Sequence, residues 1–398
     1  MTSIEAIGPD LRSAAASLDA DTIELRRAIH AEPELGLDLP MTQKKITDAL
    51  TGLGLDIKLG ESTTSVVADL DTGRSGPTVL LRGDMDALPM QEDHPSSFKS
   101  KYDGRMHACG HDAHVSMLVS AAKLLSSNKG ELTGRIRFMF QPGEEGFGGA
   151  EYMIREGVLD GVDRAFAIHV FTSAPAGYVA TRGGALMASA DKFEVTIHGK
   201  GGHASMPNYA VDPIPAAAAT VTGLHTMVGR SIDATLSGLV TVAHIQAGTT
   251  NNVIPPSAYM EGTIRAHDEH TRATLKANID RVAQGTAAAH GCTCETHVTP
   301  GYPVTINDPE QAGLVGRVST ALLGEGHYGE MPRPVMGAED FSYVLNKVPG
   351  AMAFLGVCPE GDDPHTTAPN HSNLMRISEE PLKDGVALYA AMAIAMAN

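Results

Sequence analysis

The sequence predicts an α/β protein: a mostly parallel open sheet, covered by helices on both faces, with a smaller α+β domain inserted into it. Three observations carry this. Residues 20–180 alternate short aliphatic or β-branched runs with segments of helical spacing, the pattern of strands joined by crossover helices. Over residues 184–294 the rhythm changes to strand, helix, two strands and a second helix, an order that suits a small sheet with helices on one face. Polar clusters follow Leu81, Phe140 and Ile168, and ligands of open parallel sheets gather beyond the carboxyl ends of the strands.

In chain order, residues 23–30 have helical spacing, and residues 41–53 repeat it before stopping at Gly54. Residues 65–70 and 78–82 are short runs punctuated by glycine, hence strands. Residues 115–125 read as a helix, 135–140 as a strand, 150–156 as a helix and 164–170 as a strand. In the insert, residues 192–198 alternate as a strand and 213–228 form an alanine-rich helix. Residues 239–245 and 259–266 are strands, 271–289 a helix and 292–298 a closing strand. Mixed elements return after Thr299, and residues 382–397 end the chain as an apolar helix. The expected domains are residues 1–183 together with 295–398, and an inserted domain of residues 184–294.

At 398 residues the chain is long enough for two or three domains. Hydrophobic residues at 42% and charged ones at 19% are ordinary for a globular protein. A net charge of −17 argues against nucleic acid, whose phosphates need a basic surface. No apolar stretch is long enough to span a bilayer, so no membrane association is expected. Residues 1–18 carry acids and lack a secretory signal, so the expected location is cytoplasmic. Cys109, Cys292, Cys294 and Cys358 are too few for a disulfide framework. Cys292 and Cys294 alternate on one face of a strand, which suits packing. Trp is absent and aromatics reach 5%, so an apolar pocket would rest on Met and Leu.

The densest chemistry lies at Met106-His107-Ala108-Cys109-Gly110-His111-Asp112-Ala113-His114, with three imidazoles, a thiol and a carboxylate in nine residues. Gly110 lets the backbone turn so that Cys109 and His111 aim at one point, as S and N metal ligands would. Asp112 is expected to cap the helix that follows. Asp84 and Asp86 stand just past a buried strand; one ligates metal or braces a ligating histidine, and a solvated turn is the plain alternative. Glu144 and Glu145 sit in a glycine-rich loop, where adjacent side chains diverge. One can bind metal while the other reaches water on it. His169 at a strand end and His371 in a late loop are further candidates, each open to an ordinary structural reading. In the insert, His203 lies among three glycines. Asn252 and Arg265, reached from neighbouring strands, suit a carbonyl and a carboxylate.

The segments RRAIHAEPELG, LRGDMDALPM, MHACGHDAH, FQPGEEG, GKGGHASMP, NNVIPP, GTIR, MGAEDF and PNHS occur in that order over residues 26–376. Together they resemble the amidohydrolase branch of the dinuclear aminoacylase and carboxypeptidase metallopeptidases. That group holds hippurate hydrolase, N-acyl-amino-acid amidohydrolases and auxin-conjugate hydrolases. The resemblance implies metal ligands at Cys109, His111, Glu145, His169 and His371, for two divalent ions per subunit drawn from Zn, Mn, Co or Ni. It implies Glu144 as catalytic base, Asp86 as a supporting carboxylate, and substrate contacts from His203, Asn252 and Arg265. It further implies that the insert is a lid and dimerisation surface of a homo-oligomer. Glu339 and Asp340 fall in MGAEDF with no role assigned. Wider relatives use His-x-Asp where this chain has Asp84-Met85-Asp86, and a bridging carboxylate where it offers Cys109; a thiolate favours softer ions.

The expected reaction is hydrolysis of an N-acyl-amino acid to a carboxylic acid and a free amino acid, with Glu144 taking the proton from water and returning it to the amine. His203 would help hold the oxyanion and Arg265 the substrate carboxylate. The alternatives are a dipeptidase or exopeptidase on the same scaffold, and a non-catalytic binding protein.

Overall fold

A computed structural model of the chain describes residues 4–397. The chain divides into two compact units. The first comprises the chain up to Leu186, Ile306–Arg333 and the stretch from Asp340 onward; the second comprises Met187–Thr305 and Pro334–Glu339.

Among the described residues, the first unit holds an eight-stranded sheet. Its strands run in the order Asp56–Leu59, Val66–Asp71, Arg135–Gln141, Thr78–Asp84, Arg164–Phe171, Gly350–Gly356, Val179–Thr181, Tyr328–Glu330. The four central strands, from Arg135–Gln141 to Gly350–Gly356, are parallel to one another; antiparallel pairs occur toward the edges. Central strands of this kind are covered on both faces, so they read as continuous apolar runs. Gly350–Gly356 is buried at every position, and Thr78–Asp84 at all but the first. Gly350–Gly356 falls in the mixed region after Thr299, where a short apolar run bounded by glycines has no periodicity to mark it as a strand.

The helices His111–Ser127 and Leu382–Ala397 supply much of this unit's core, with Val115, Leu118, Ala122, Val386, Met392 and Met396 buried against Leu81, Phe138, Phe166 and Leu355. Leu382–Ala397 is alanine-rich, and its small side chains let it lie close on the sheet. The Tyr389 hydroxyl donates to the Arg82 carbonyl (2.7 Å) and accepts the Ile168 N–H (3.2 Å), tying helix to two strands. Truncating a buried leucine here, such as Leu81→Ala, falls in the range of about 2–5 kcal/mol.

The second unit is a four-stranded antiparallel sheet, ordered Gly238–Ala247, Ser257–Ala266, Asp191–His198, Thr293–Pro300. Asp191–His198 alternates buried and exposed positions, with Phe193, Val195 and Ile197 inward. Helices Pro213–Ser231 and Glu269–Ala289 cover that face through Leu224, Leu275 and Ile279. Asp212 and Asp268 cap them, each accepting a backbone N–H. The strand Thr293–Pro300 pairs along the whole of Asp191–His198, so this unit runs on to Thr305, past the expected end of the insert at residue 294. It also takes in Pro334–Glu339, a return of the chain that no sequence pattern marks. No helix among the described residues is long and apolar enough to cross a membrane.

Candidate metal centre

Three neighbouring strands of the first unit, Arg135–Gln141, Thr78–Asp84 and Arg164–Phe171, end side by side, and the loops beyond them converge. Asp86 follows one, Glu144 and Glu145 follow another, and His169 lies near the end of the third. Cys109 and His111 stand at the start of the helix His111–Ser127. Gly110 makes that junction possible: its φ is +88°, and a Cβ there would strike Val170 Cγ2. Gly110 is also the N-cap, and no side chain caps the helix, so Asp112 does not hold the expected capping position. It lies inside the first turn, fully buried, gripped by Arg26 Nε (2.7 Å) and His30 Nδ1 (2.8 Å). A capping residue must precede the helix; here the turn at Gly110 starts it two residues earlier.

The donor atoms of Cys109, His111 and His169 lie within 4.8 Å of one another, and so do those of Cys109, Glu145 and His371. Cys109 Sγ is shared, 3.4 Å from His169 Nε2 and 3.2 Å from His371 Nε2. Glu145 Oε1 is 3.3 Å from His371 Nε2 and 3.9 Å from His111 Nε2. His111, Glu144 and Glu145 form a third such group.

His111 and His169 present Nε2 because Nδ1 is engaged. His111 Nδ1–H donates to the Asp86 carbonyl (2.8 Å) and His169 Nδ1–H to the Val170 carbonyl (2.7 Å). Burial keeps His169 well below the ordinary imidazole range, hence neutral with a lone pair on Nε2. Burial opposes charge on His111 as well, but Asp84, Cys109 and Asp86 outweigh it and hold its pKa high. The pocket is thus negative enough to keep a cation at His111 Nε2, whether proton or metal. Glu145 behaves alike: burial pushes its pKa up, and His371 and His111 bring it below the ordinary value. Burial pushes the Cys109 thiol up to about 12, so the thiolate needs a cation beside it.

His111 Nε2 and Glu145 Oε1 are buried atoms without a hydrogen-bond partner. Buried polar atoms left without a partner are costly unless something fills the space between them. Sulfur, imidazole nitrogen and carboxylate oxygen, already converged, suit a divalent transition ion. The residues present therefore fit a metal centre.

His371 is the one non-glycine residue with positive φ (68°) among the described residues. Its backbone is pinned there by the Ala108 carbonyl (2.7 Å), while Asn370 Nδ2 donates to the carbonyls of Cys109 and Val170 (3.1 Å each). Strain held by such over-determination is typical of functional positions. Asp86, 1% exposed, accepts the backbone N–H groups of Glu144 (2.9 Å) and Glu145 (3.0 Å). It holds the glutamate loop rather than reaching for a ligand position.

His114 went unassigned in the sequence, though it stands three residues after His111 on one helix and so shares its face. Its Nδ1–H donates to Asp84 (2.5 Å) and its Nε2 accepts the Val170 N–H (2.8 Å). Both nitrogens are occupied, so it braces the strand carrying His169. Burial would raise the Asp84 carboxyl, but Arg82, His111 and His114 hold it well below the usual range. Asp84 is accordingly an ion-pair partner of Arg82 (2.6 Å), not a loose acid in a turn. The fully buried Asp340 of MGAEDF accepts from Arg82 and Gln141.

His203, Asn252 and Arg265 all belong to the second unit. His203 pairs with Val253, and Ala204 N–H donates to the Asn252 carbonyl (3.1 Å), so the first two are neighbours. The His203 ring is held by Ser205, whose hydroxyl lies 2.8 Å from Nδ1. Arg265 stands on Ser257–Ala266, where its guanidinium donates to Thr263 Oγ1 and the Ile264 carbonyl (3.1 Å).

The chain matches a family model described as peptidase family M20/M25/M40 over residues 80–395. Thermostable carboxypeptidase 2 of Saccharolobus solfataricus is 40% identical over 384 residues, covering 94% of this chain and 95% of that one. IAA-amino acid hydrolase ILR1-like 2 of Arabidopsis thaliana is 40% identical over 376 residues, 94% of this chain and 84% of that one. Among solved structures, the Bacillus subtilis YXEP protein, described as a dinuclear metal binding peptidase from the M20 family, aligns with a TM-score of 0.83. It is 33% identical, with 96% of this chain and 98% of that chain covered. Converged ligands and likeness along nearly the whole length lead to one conclusion: the chain belongs to peptidase family M20/M25/M40 and is a metal-dependent hydrolase of the amidohydrolase and peptidase type.

Proposed function

We propose that the protein hydrolyses N-acyl-amino acids, releasing a carboxylic acid and a free amino acid. The observation that carries the substrate class is Arg265. Burial lowers its pKa, and its guanidinium donates to neutral oxygens of its own strand, Thr263 Oγ1 and the Ile264 carbonyl. Among the described residues no carboxylate forms an ion pair with this partly desolvated guanidinium, and Asp191 acts on it only as a nearby charge; it is set to receive a carboxylate, and the amino-acid product side of such a substrate ends in one. The likeness to an IAA-amino acid hydrolase supports the same reading.

In this reading Cys109, His111, Glu145, His169 and His371 hold two divalent ions, Zn, Mn, Co or Ni, with the donors falling into two groups that share Cys109. Bound ions would supply a lowered pKa for water and polarisation of the scissile carbonyl. Glu144, next to the ligand Glu145 yet projecting separately, accepts the proton of the attacking water and delivers it to the departing amine nitrogen. Asp86 fixes the backbone from which Glu144 projects. His203 and Asn252 donate to the carbonyl oxygen as charge develops on it. Residues 184–294, in the sequence-defined sense, act as lid and dimerisation surface.

Glu144→Gln should retain metal and lose nearly all turnover; a near-normal rate in metal-loaded protein removes Glu144 from the chemistry. Arg265→Ala should raise KM for N-acyl-amino acids far more than for neutral amides, and equal effects on both would end the carboxylate assignment. The 40% identity to a carboxypeptidase favours one second reading, cleavage of C-terminal residues from peptides. Both need Arg265. Comparing hippurate with a dipeptide bearing a free amine separates them.

A further inference from the structure

We propose that Asp340 is a positioning residue for Glu144, clamped for that task by Arg82 and Gln141; this rests on Glu144 being the proton-transferring base. Asp340 is fully buried. One carboxylate oxygen accepts from Arg82 Nη2 (3.0 Å) and Gln141 Nε2 (2.8 Å). The other accepts from Gln141 Nε2 (2.8 Å) and the Ala150 N–H (3.0 Å). These contacts fill the acceptor capacity of a carboxylate and leave it no freedom to rotate. Its own backbone N–H then points at Glu144 Oε1, 3.4 Å away.

The clamp is itself rigid. Arg82 is among the largest fully buried side chains, holding Gln141 Oε1 through Nε (3.0 Å) and Asp84 through Nη1 (2.6 Å). Removing one partner from such a network leaves a buried charge uncompensated, so its members move together or not at all. Glu144 thus has a backbone anchor, its N–H on the Asp86 carboxylate, and a side-chain contact from the Asp340 amide. A glutamate has three side-chain torsions, and the first anchor fixes none of them. The second acts on the side chain directly. A displacement of about 1 Å in a reacting group can cost on the order of 100-fold in rate. Chain connectivity adds weight, because Asp340 is the residue at which the polypeptide returns to the first unit. Its amide thus holds Glu144 from a segment separate from the glutamate loop.

The test is D340N. Asparagine keeps the shape but turns an acceptor into a donor facing Arg82, Gln141 or the Ala150 N–H. The expected result is a 10- to 100-fold fall in kcat with KM and metal content within twofold of wild type. Metal content reports Glu145 and kcat reports Glu144, so a general collapse of the loop would move both. In an E144Q background, D340N should cost less than twofold further, because the residue it acts through is already gone. Gln141→Met, which removes the Gln141 hydrogen bonds to Asp340 and Arg82 but leaves the charged partners Arg82 and Asp340 in place, should show the same split at three- to tenfold. The proposal is overturned if both variants keep kcat within twofold of wild type. It is equally overturned if kcat falls only in step with metal, or if D340N lowers the residual rate of E144Q by its full factor. Near-normal turnover of E144Q itself would overturn the base assignment first, whereas an inactive E144Q beside a fully active D340N overturns only the role of Asp340.

Discussion

Replacing Asp86 by asparagine changes a single buried atom, and the structure says which contact it breaks. Oδ1 accepts the Glu144 N–H at 2.9 Å and lies 3.5 Å from His111 Nδ1; Oδ2 accepts the Glu145 N–H at 3.0 Å. His111 Nδ1 carries a proton toward the Asp86 carbonyl, so an asparagine amide group is unfavourable beside it. The asparagine oxygen accordingly stays in the Oδ1 position and the NH2 group meets the Glu145 N–H. One hydrogen bond to a charged acceptor is lost, worth roughly 1.5–3 kcal/mol. At about 1.4 kcal/mol per tenfold, that is roughly 10- to 150-fold, in keeping with the 10- to 100-fold usual for groups behind metal ligands. The effect falls on Glu145, hence on metal affinity, while Glu144 keeps its anchor. Affinity is measured by titrating metal-free protein against a competing chelator, and kcat at saturating metal. D86N should bind metal 10- to 150-fold more weakly, with kcat within fivefold of wild type once loaded. Unchanged affinity refutes the argument; unchanged affinity with a collapsed kcat shows that the orientation was assigned the wrong way round.

Other consequences are as direct. Stripping metal with a chelator should lower the melting temperature in a concentration-dependent way, because an ion at 100 times its dissociation constant stabilises the fold by about 2.7 kcal/mol; a melting temperature independent of metal contradicts the ligand set. Gly110→Ala forces a side chain into a left-handed turn and into Val170, beside His169, so it should cost about 1–3 kcal/mol and reduce metal content, as read by urea unfolding and metal analysis. Lys101 and Lys45 lower the Glu32 pKa from 4.5 to about 2. Because the folded value lies below the unfolded one, this stabilisation is complete above pH 4.5 and vanishes as pH falls toward 2. The melting-temperature gap between metal-free wild type and Glu32→Gln should close over that window; a gap that persists at pH 2 means the lysine contacts are not its source.

Much of the site was readable because its chemistry is local. Cys109, Gly110 and His111 announce a tight turn with two candidate donors, and Glu144-Glu145 announces divergent acids in a glycine-rich loop. Their spacing fixes direction without reference to the rest of the chain. Asp112 was misjudged for the same reason: a first-turn acid looks like a cap, and only Arg26 and His30, some eighty residues earlier, show that it is a buried ion-pair partner. The strand Gly350–Gly356 and the return at Pro334–Glu339 carry no periodic signal, so only the neighbours they pair with define them.

By itself, the amino-acid sequence determined the class of the sheet, the order of its elements, the donor types and the pair of glutamates, since all of these follow from residue identity and short-range spacing. Tertiary structure alone decided which donors share a sulfur, that both ring nitrogens of His114 are taken up by Asp84 and Val170, and that Arg82, Gln141 and Asp340 stand behind Glu144. Those relations join residues up to 262 positions apart through buried or part-buried polar contacts. Low-dielectric surroundings give such contacts their strength, and burial is a property of the packed chain that no local pattern encodes.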